Sequence, residues 1–577
     1  MHRPHLILVV ALGSGLTTCR SPAPVDRPPD PTLGRTWQDE VIYQLLTDRF
    51  ANGDSTNDAG AEPSCGGCYH GGDWRGVASR LDYLQTLGVT AIWISPVVAN
   101  IDTPSRGQAY HGYWPLALDR VNERFGTLDD LQALVAAAHA RGIKVIADVV
   151  LNHLGPVAFY DLNGNGVLDE TGGAGDPANE LSPPFDPQGV KDQQGTLAAP
   201  FLFFPAATTT TAGISPAVLR APAAFHRRGL ILDYNEPAQS LTGDFRGGLR
   251  DLDTSDPAVE EALVDLTLAW DELVGFDGYR YDAAKHVEDA FWRVLLPALR
   301  DRRGPPPDAG DGLLQFPEVL DGRPDYLATF TRPEMFDTVL DFASKFRVFD
   351  EVFKHGGPAS AVLATWRETT AAFPSEPQIA GISTAPAATL LRFLDNHDLP
   401  RFLSENPSIE ALHAALAYLV LGDGVPVIYY GTEQAFAGGT DPGNREDLSR
   451  SGYATDGATF RFLQTLIGLR RTYVALRRGD TRFVWASEHT GNETDAGVLA
   501  FERVAGGERL LVVINTHATK TSDTTYLGET LQVGFAPGTV LVDLLAGDHT
   551  RYVVAADGGL RLSVPPHGAR LLAPVSP

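Results

Sequence analysis

Between residues 41 and 430, short apolar runs rich in Val, Ile, Leu and aromatic residues recur eight times, over 41–50, 89–97, 143–150, 276–281, 313–319, 338–342, 390–394 and 425–430. Stretches with apolar residues three and four apart intervene, over 74–87, 128–140, 259–274, 286–299, 361–372 and 409–421, and a last one follows over 460–476. Switching repeatedly between runs of strand length and a helical period predicts parallel strands joined by helices. Two architectures satisfy that alternation, a closed (β/α)8 TIM barrel and a doubly wound open sheet. Polar residues stand at the C-terminal ends of many of the runs, where a barrel keeps its chemistry, and this favours the barrel.

One connection is out of proportion. About a hundred residues, rich in Gly, Pro, Thr and Asn, separate the third run from the helix at 259, too many for a structureless loop in a compact enzyme. After 478 the pattern changes to short runs (497–503, 509–515, 539–543, 552–555, 560–564) with turn residues between, which predicts a C-terminal antiparallel β-sandwich. The net charge of −26 disfavours nucleic acid and anionic membrane surfaces and leaves a neutral polymer open as substrate.

The N-terminus has the form of an export signal. His2, Arg3 and His5 precede the apolar run 6–12, and small residues and Cys19 follow. That run is too short to span a membrane, so no transmembrane span is expected. Leu16-Thr17-Thr18-Cys19 resembles a bacterial lipoprotein cleavage box, with Thr18 where Gly or Ala is usual. Secretion and outer-surface anchoring through a lipidated Cys19 therefore both stand. Residues 20–36, rich in Pro and Asp, read as a linker. Of the three cysteines, Cys65 and Cys68 are spaced to pair in an oxidising compartment or to bind a metal, although no second such pair completes a zinc site.

The most telling segment is 275–286, Gly-Phe-Asp-Gly-Tyr-Arg-Tyr-Asp-Ala-Ala-Lys-His. Strand alternation puts Arg280 and Asp282 on one face. An arginine beside an aspartate predicts a depressed carboxyl pKa and an ionised nucleophile. Three more runs end in polar groups: Asp148-Val-Val-Leu-Asn152-His153, Phe316-Pro-Glu318-Val319 and Phe393-Leu-Asp-Asn-His397-Asp398. Each alone could be an ion pair holding a barrel mouth together.

Together and in this order, the four segments resemble the signature regions of the α-amylase family of glycoside hydrolases and transglycosylases (glycoside hydrolase family 13). The likeness is strongest to the cyclodextrin glycosyltransferase and maltogenic amylase branch, through Tyr43-Gln-Leu-Leu-Thr-Asp-Arg-Phe50, Gly71-Gly-Asp-Trp74 and Ala109-Tyr-His-Gly-Tyr-Trp114. It implies a barrel over 37–152 and 246–478, an inserted domain B over 153–245 and a sandwich domain C over 479–577. It also implies retaining cleavage of α-1,4-glucans such as starch, with Asp282 as nucleophile, Glu318 as general acid and base, and Asp398 stabilising the transition state. Glu318 sits between apolar neighbours, which predicts a raised carboxyl pKa. By the same resemblance, Tyr110, His111, Tyr113, His153, Arg280, Lys285, His286, His397, Asp441 and Arg445 line the sugar subsites. Calcium (Ca2+) is implied at Asn152, Asp251 and the His286 carbonyl, and at a second site of Asn52, Asp54, Asn57, Asp58, Gly71 and Asp73. The stretch 161–170, Asp-Leu-Asn-Gly-Asn-Gly-Val-Leu-Asp-Glu, reads equally as a third calcium loop and as an Asn/Gly turn.

Two features favour hydrolysis over glycosyl transfer. The extra C-terminal domains of those transferases are not expected in a chain of this length, and Gly247 stands where they place an aromatic post, four positions before the calcium aspartate. A non-catalytic glucan-binding relative is disfavoured, because Asp282, Glu318 and Asp398 are all present. A monomer is expected.

Overall fold

The structure, a computed structural model, describes residues 34–102, 107–187, 200–208, 213–304, 311–548 and 550–575. The signal-like segment 1–19, with Cys19, and most of the linker lie outside the described residues.

The expected barrel is present. Seven parallel strands, Ile42–Leu45, Ala91–Ile94, Lys144–Val149, Gly278–Tyr281, Leu314–Pro317, Leu391–Phe393 and Val425–Tyr429, are ordered 5-4-3-2-1-8-7 around the sheet when the sixth position is counted. That sixth position, expected over 338–342, is a single parallel bridge of Leu340 to Leu391, not a full strand. On its other side the Asp337 amide donates to the Gln315 carbonyl, which closes the ring. A side chain replaces the regular ladder here: the Asp337 carboxylate accepts the Gln315 amide at 2.8 Å and Arg300 at 3.0 Å. Inward side chains such as Ile42, Trp93, Ile146, Phe316, Phe393 and Val427 fill the barrel, while Tyr43, Ile92, Val145 and Tyr279 face the helices.

Three further expectations are corrected. The first strand ends at Leu45, and Thr47–Phe50 forms a helical turn. Its polar side chains are committed locally: Asp48 accepts the amides of His70 and Gly71, and Arg49 donates to the carbonyls of Gly66 and Cys68. The helix expected over 74–87 is two helices, Trp74–Ser79 and Leu81–Leu87, broken at Arg80, whose guanidinium lies 4.1 Å over the Tyr453 ring. The last barrel helix likewise divides into Ala458–Thr472 and Val474–Arg478. Lys345–Lys354 adds a wide, π-type helical segment that no apolar pattern announced. Cys65 and Cys68 form a disulfide, so they are not a metal pair.

The long insertion is held by short antiparallel pairs, His153–Leu154 with Arg250–Asp251 and Ala158–Tyr160 with Phe201–Phe203. Arg250 is buried between them and donates to the carbonyls of Ala158 and Leu181. The C-terminal β-sandwich is built on a six-stranded antiparallel sheet, Asp480–Ala486, Val498–Ala505, Glu508–Asn515, Ala569–Pro574, Val540–Asp543 and Arg551–Val553 in spatial order. Its first strand precedes any expected from the sequence. Among the described residues no helix is long and apolar enough to cross a membrane.

Candidate active site

Parallel pairing builds the centre. Arg280 on the fourth strand stands opposite Asp148 on the third and Phe316 on the fifth. The buried guanidinium therefore reaches three carboxylates. Its Nη1 donates to both oxygens of Asp148 at 2.8 and 2.9 Å and to Asp282 Oδ1 at 2.7 Å, and Nη2 lies 3.0 Å from Glu318 Oε2. The Ala283 amide donates to the same Glu318 oxygen at 3.0 Å. Glu318 thus sits against a cation and an amide dipole, not in the apolar setting its sequence neighbours suggested.

The expected depression of Asp282 is also overturned. Burial lifts its carboxyl well above the usual range against the pull of Arg280, and the charges of Glu318, Asp148 and Asp398 add to the lift. Burial raises Asp148 as well. One guanidinium faces three carboxylates here, so like-charge repulsion adds to the desolvation that lifts Asp282 and Asp148.

Tyr113 and His397 form one wall. Their rings are parallel within 2° at 4.9 Å. The Tyr113 hydroxyl donates to Asp148 Oδ2 at 2.8 Å, and its amide donates to His111 Nδ1 at 2.9 Å. Gln44 Nε2 meets His397 Nδ1 at 2.8 Å, leaving Nε2 of that ring to carry the proton 3.2 Å from Asp398 Oδ2. Burial pushes His111 and His397 well below their ordinary values, His153 down to about 4 and His286 down to about 3, so all four are neutral at pH 7. Arg445 ties the far side together, reaching Tyr110 Oη at 3.1 Å, Asp441 Oδ1 at 3.0 Å and Asp398 Oδ1 at 3.4 Å. Lys285 lies elsewhere on the rim, donating to the Leu320 carbonyl at 3.1 Å, and burial lowers its pKa. A cavity of about 1010 Å3 opens beyond Glu318, lined by Lys285, His286, Leu320, Tyr234 and Phe245 among others.

Sequence reasoning missed Asp148, Trp93 and Phe245. Trp93 Nε1 donates to Asp148 at 3.1 Å, and Phe245 packs edge-on against His153 and His286. The signal for Asp148 was available: its strand position matches that of Arg280 once the strands are paired in parallel. Gly247 sits in the turn closed by the Phe245–Leu249 bridge, with φ of +95°, so no side chain rises there.

Two groups of oxygens could hold a hard cation. Oδ1 of Asn152 and Oδ1 of Asp251 are buried without a hydrogen-bond partner, at the end of the strand pair that sets His153 opposite Asp251. The second Asp251 oxygen accepts from His226 Nδ1 at 2.6 Å. In the other group, Oδ1 of Asn57 and of Asp58 are also buried and unpartnered, and a Cβ added to Gly71 would meet Asp58 Oδ1 at 2.5 Å. Asp54 and Asp73 fit this second group less well. Asp54 is engaged by Thr56 and Arg75, and Asp73 caps the helix at Trp74 through the Gly76 amide. In the 161–170 loop Asp161 accepts the Gly166 amide, Asn163 the Asn165 amide, and Glu180 the amides of Leu162 and Asp169.

Comparison with known proteins agrees with this geometry. The family profile described as "Alpha amylase, catalytic domain" matches residues 44–168 and 234–464, more than half of the chain. Alpha-amylase 1 of Schwanniomyces occidentalis is 29% identical over 91% of this chain and 88% of its own length. The crystal structure of an Anoxybacillus α-amylase superposes with a TM-score of 0.71 at 28% identity, covering 94% of this chain and all of that one. A cyclomaltodextrin glucanotransferase described as having a three-domain ABC distribution, CldA, superposes with a TM-score of 0.70 at 28% identity, over 93% of this chain and 99% of its own. Such a transferase needs no further C-terminal domains, so domain extent no longer separates hydrolase from transferase. This chain belongs to the α-amylase family of glucan hydrolases and transglycosylases, as an amylase-type glycoside hydrolase.

Proposed function

We propose that the protein is an exported, calcium-binding, monomeric α-1,4-glucan hydrolase that cleaves inside starch-like chains with retention of configuration. One observation carries the reading: Asp282 and Glu318 share the two terminal nitrogens of one guanidinium. That arrangement favours the close spacing of a retaining pair, roughly 5–5.5 Å, over the wider gap that an inverting enzyme leaves for water.

In this mechanism Tyr113 stacks on the sugar at the scissile bond, and His111, His153 and His397 hydrogen-bond its hydroxyls as neutral rings. Asp282 attacks the anomeric carbon while the bond to the leaving oxygen breaks, and that oxygen takes the proton held by Glu318. Glu318 then removes a proton from water, which attacks the same carbon and frees the Asp282 carboxylate. Asp398, fixed by Arg445 and His397, faces the developing positive charge. Asn152, Asp251 and the His286 carbonyl would hold one calcium ion, and Asn52, Asn57, Asp58 and Gly71 form the core of a second group. Calcium there supplies structural cross-linking of the insertion to the barrel, not a step of the reaction.

A second reading, glycosyl transfer, is favoured by the aromatic pair Tyr234–Phe245, stacked at 6.2 Å and 16° on the cavity wall beyond Glu318. Glu318→Gln tests the shared chemistry: kcat on soluble starch falls by about 10³-fold, and unchanged turnover sinks the assignment. Chromatography of the wild-type products then separates the two readings. A ladder of linear malto-oligosaccharides supports hydrolysis, and cyclic products or disproportionation of short chains support transfer.

A further inference from the structure

The C-terminal sandwich carries a second aromatic cavity that shares no lining residue with the cleft. It has a volume of about 450 Å3, and Trp485, Tyr526, Leu527, Glu529 and Gln532 contribute to its lining. That is within the range of small-ligand sites, roughly 300–1,000 Å3.

Its position follows from local sequence. Phe483 pairs with Phe501 and packs toward the barrel, so regular alternation would turn Trp485 the same way. A β-bulge between Phe483 and Trp485 reverses this, and Trp485 packs instead with the sandwich core, beside the cavity. One buried carboxylate then fixes both aromatics. Asp495, 3% exposed, accepts from Trp485 Nε1 at 3.1 Å and meets His489 Nδ1 at 2.9 Å, and the His489 ring packs on Tyr526 at 4.3 Å. The lip is the turn of the hairpin pairing Thr525–Tyr526 with Glu529–Thr530. There Leu527 and Gly528 both have positive φ, +49° and +92°. Such a turn prefers Asn or Asp before Gly, and a leucine adopts this left-handed conformation only at a steric cost. Leu527 is nonetheless 86% exposed, so no burial offsets that cost.

We propose that this cavity is a non-catalytic binding site for a neutral α-glucan chain. Indole and phenol faces match the apolar C–H face of a pyranose, Leu527 extends the apolar lip, and Gln532 and Glu529 offer hydrogen-bonding groups for sugar hydroxyls. No cationic side chain lines the cavity among the described residues, which argues against a phosphorylated or polyanionic ligand. The choice of α-glucan over other neutral sugars rests on the functional reading above. The site would tether polymer to the enzyme independently of the cleft.

The test is native-gel affinity electrophoresis in amylopectin, using full-length protein in an Asp282→Asn background so that the polymer is not cut. Tyr526→Ala, Gln532→Ala and Leu527→Asn are compared with the parent, the last being compatible with the turn. At least a five-fold weaker apparent affinity is expected for Tyr526→Ala, and a measurable loss for the other two. With Asp282 intact, Tyr526→Ala should hydrolyse maltoheptaose at the unaltered rate. Equal retardation of parent and all three variants, or no retardation of the parent, overturns the proposal. Loss of maltoheptaose hydrolysis by the wild type with retardation retained would instead overturn the hydrolase reading and leave the binding site standing.

Discussion

Arg280 faces three carboxylates with one planar cation, and this single residue sets the electrostatics of the centre. A lysine in its place carries the same charge but lacks the fork that serves Asp148 and Asp282 through one nitrogen and Glu318 through the other. Arg280→Lys should therefore lower kcat/KM on soluble starch by at least 10²-fold, about 2.7 kcal/mol of transition-state stabilisation. Near-UV circular dichroism should show the tertiary fold retained. A loss of less than three-fold would mean that the fork is dispensable. Asp148 shows how sequence reading falls short at this scale. The aspartate was visible at the end of a strand, but its role depends on which strand lies beside it, and only the parallel register shows that it holds both Arg280 and Tyr113.

At the scale of elements, the insertion is pinned to the barrel where His153–Leu154 pairs with Arg250–Asp251. Asn152 and Asp251 at this junction each bury an oxygen without a partner, which costs stability unless something binds it. Calcium at a hundred times its dissociation constant should add about 2.7 kcal/mol to the unfolding free energy, and a chelator should remove it. Asp251→Asn should remove this site's share of the calcium-dependent shift in urea denaturation and leave the share of the second group. An Asp251→Asn protein with the full shift would exclude the site. The strand–helix alternation was readable because period-two and helical patterns are local properties. The bridge at Leu340, the break at Arg80 and the Trp485 bulge were not, because a side chain from elsewhere decides each of the first two and an inserted residue in one strand the third. Gly247 indeed offers no aromatic side chain, yet Tyr234 and Phe245 supply an aromatic pair on the cavity wall, so the glycine alone no longer argues against transfer.

Over the whole molecule, the cleft concentrates histidines that are kept neutral, and this gives folding a definite pH dependence. His111 is the clearest case: burial first, then the charges of Arg445, His397 and Arg49, push its pKa well below 6.5. The unfolded chain binds a proton at this residue below about pH 6.5 while the folded protein does not. Its stabilising contribution is thus full above that pH and is lost as pH falls below it. Buried carboxyls such as Asp148, Asp251 and Asp282 have raised values and act in the opposite sense, stabilising the fold as pH falls. The sum in the wild type therefore mixes both signs, and a difference isolates the histidine. His111→Gln, which keeps a neutral group that can accept the Tyr113 amide, should lose measurably less stability than the wild type between pH 7 and pH 5 in paired urea titrations. Parallel pH profiles for the two proteins would show that His111 takes up its proton in the folded state, and that the cleft is wetter than its burial implies.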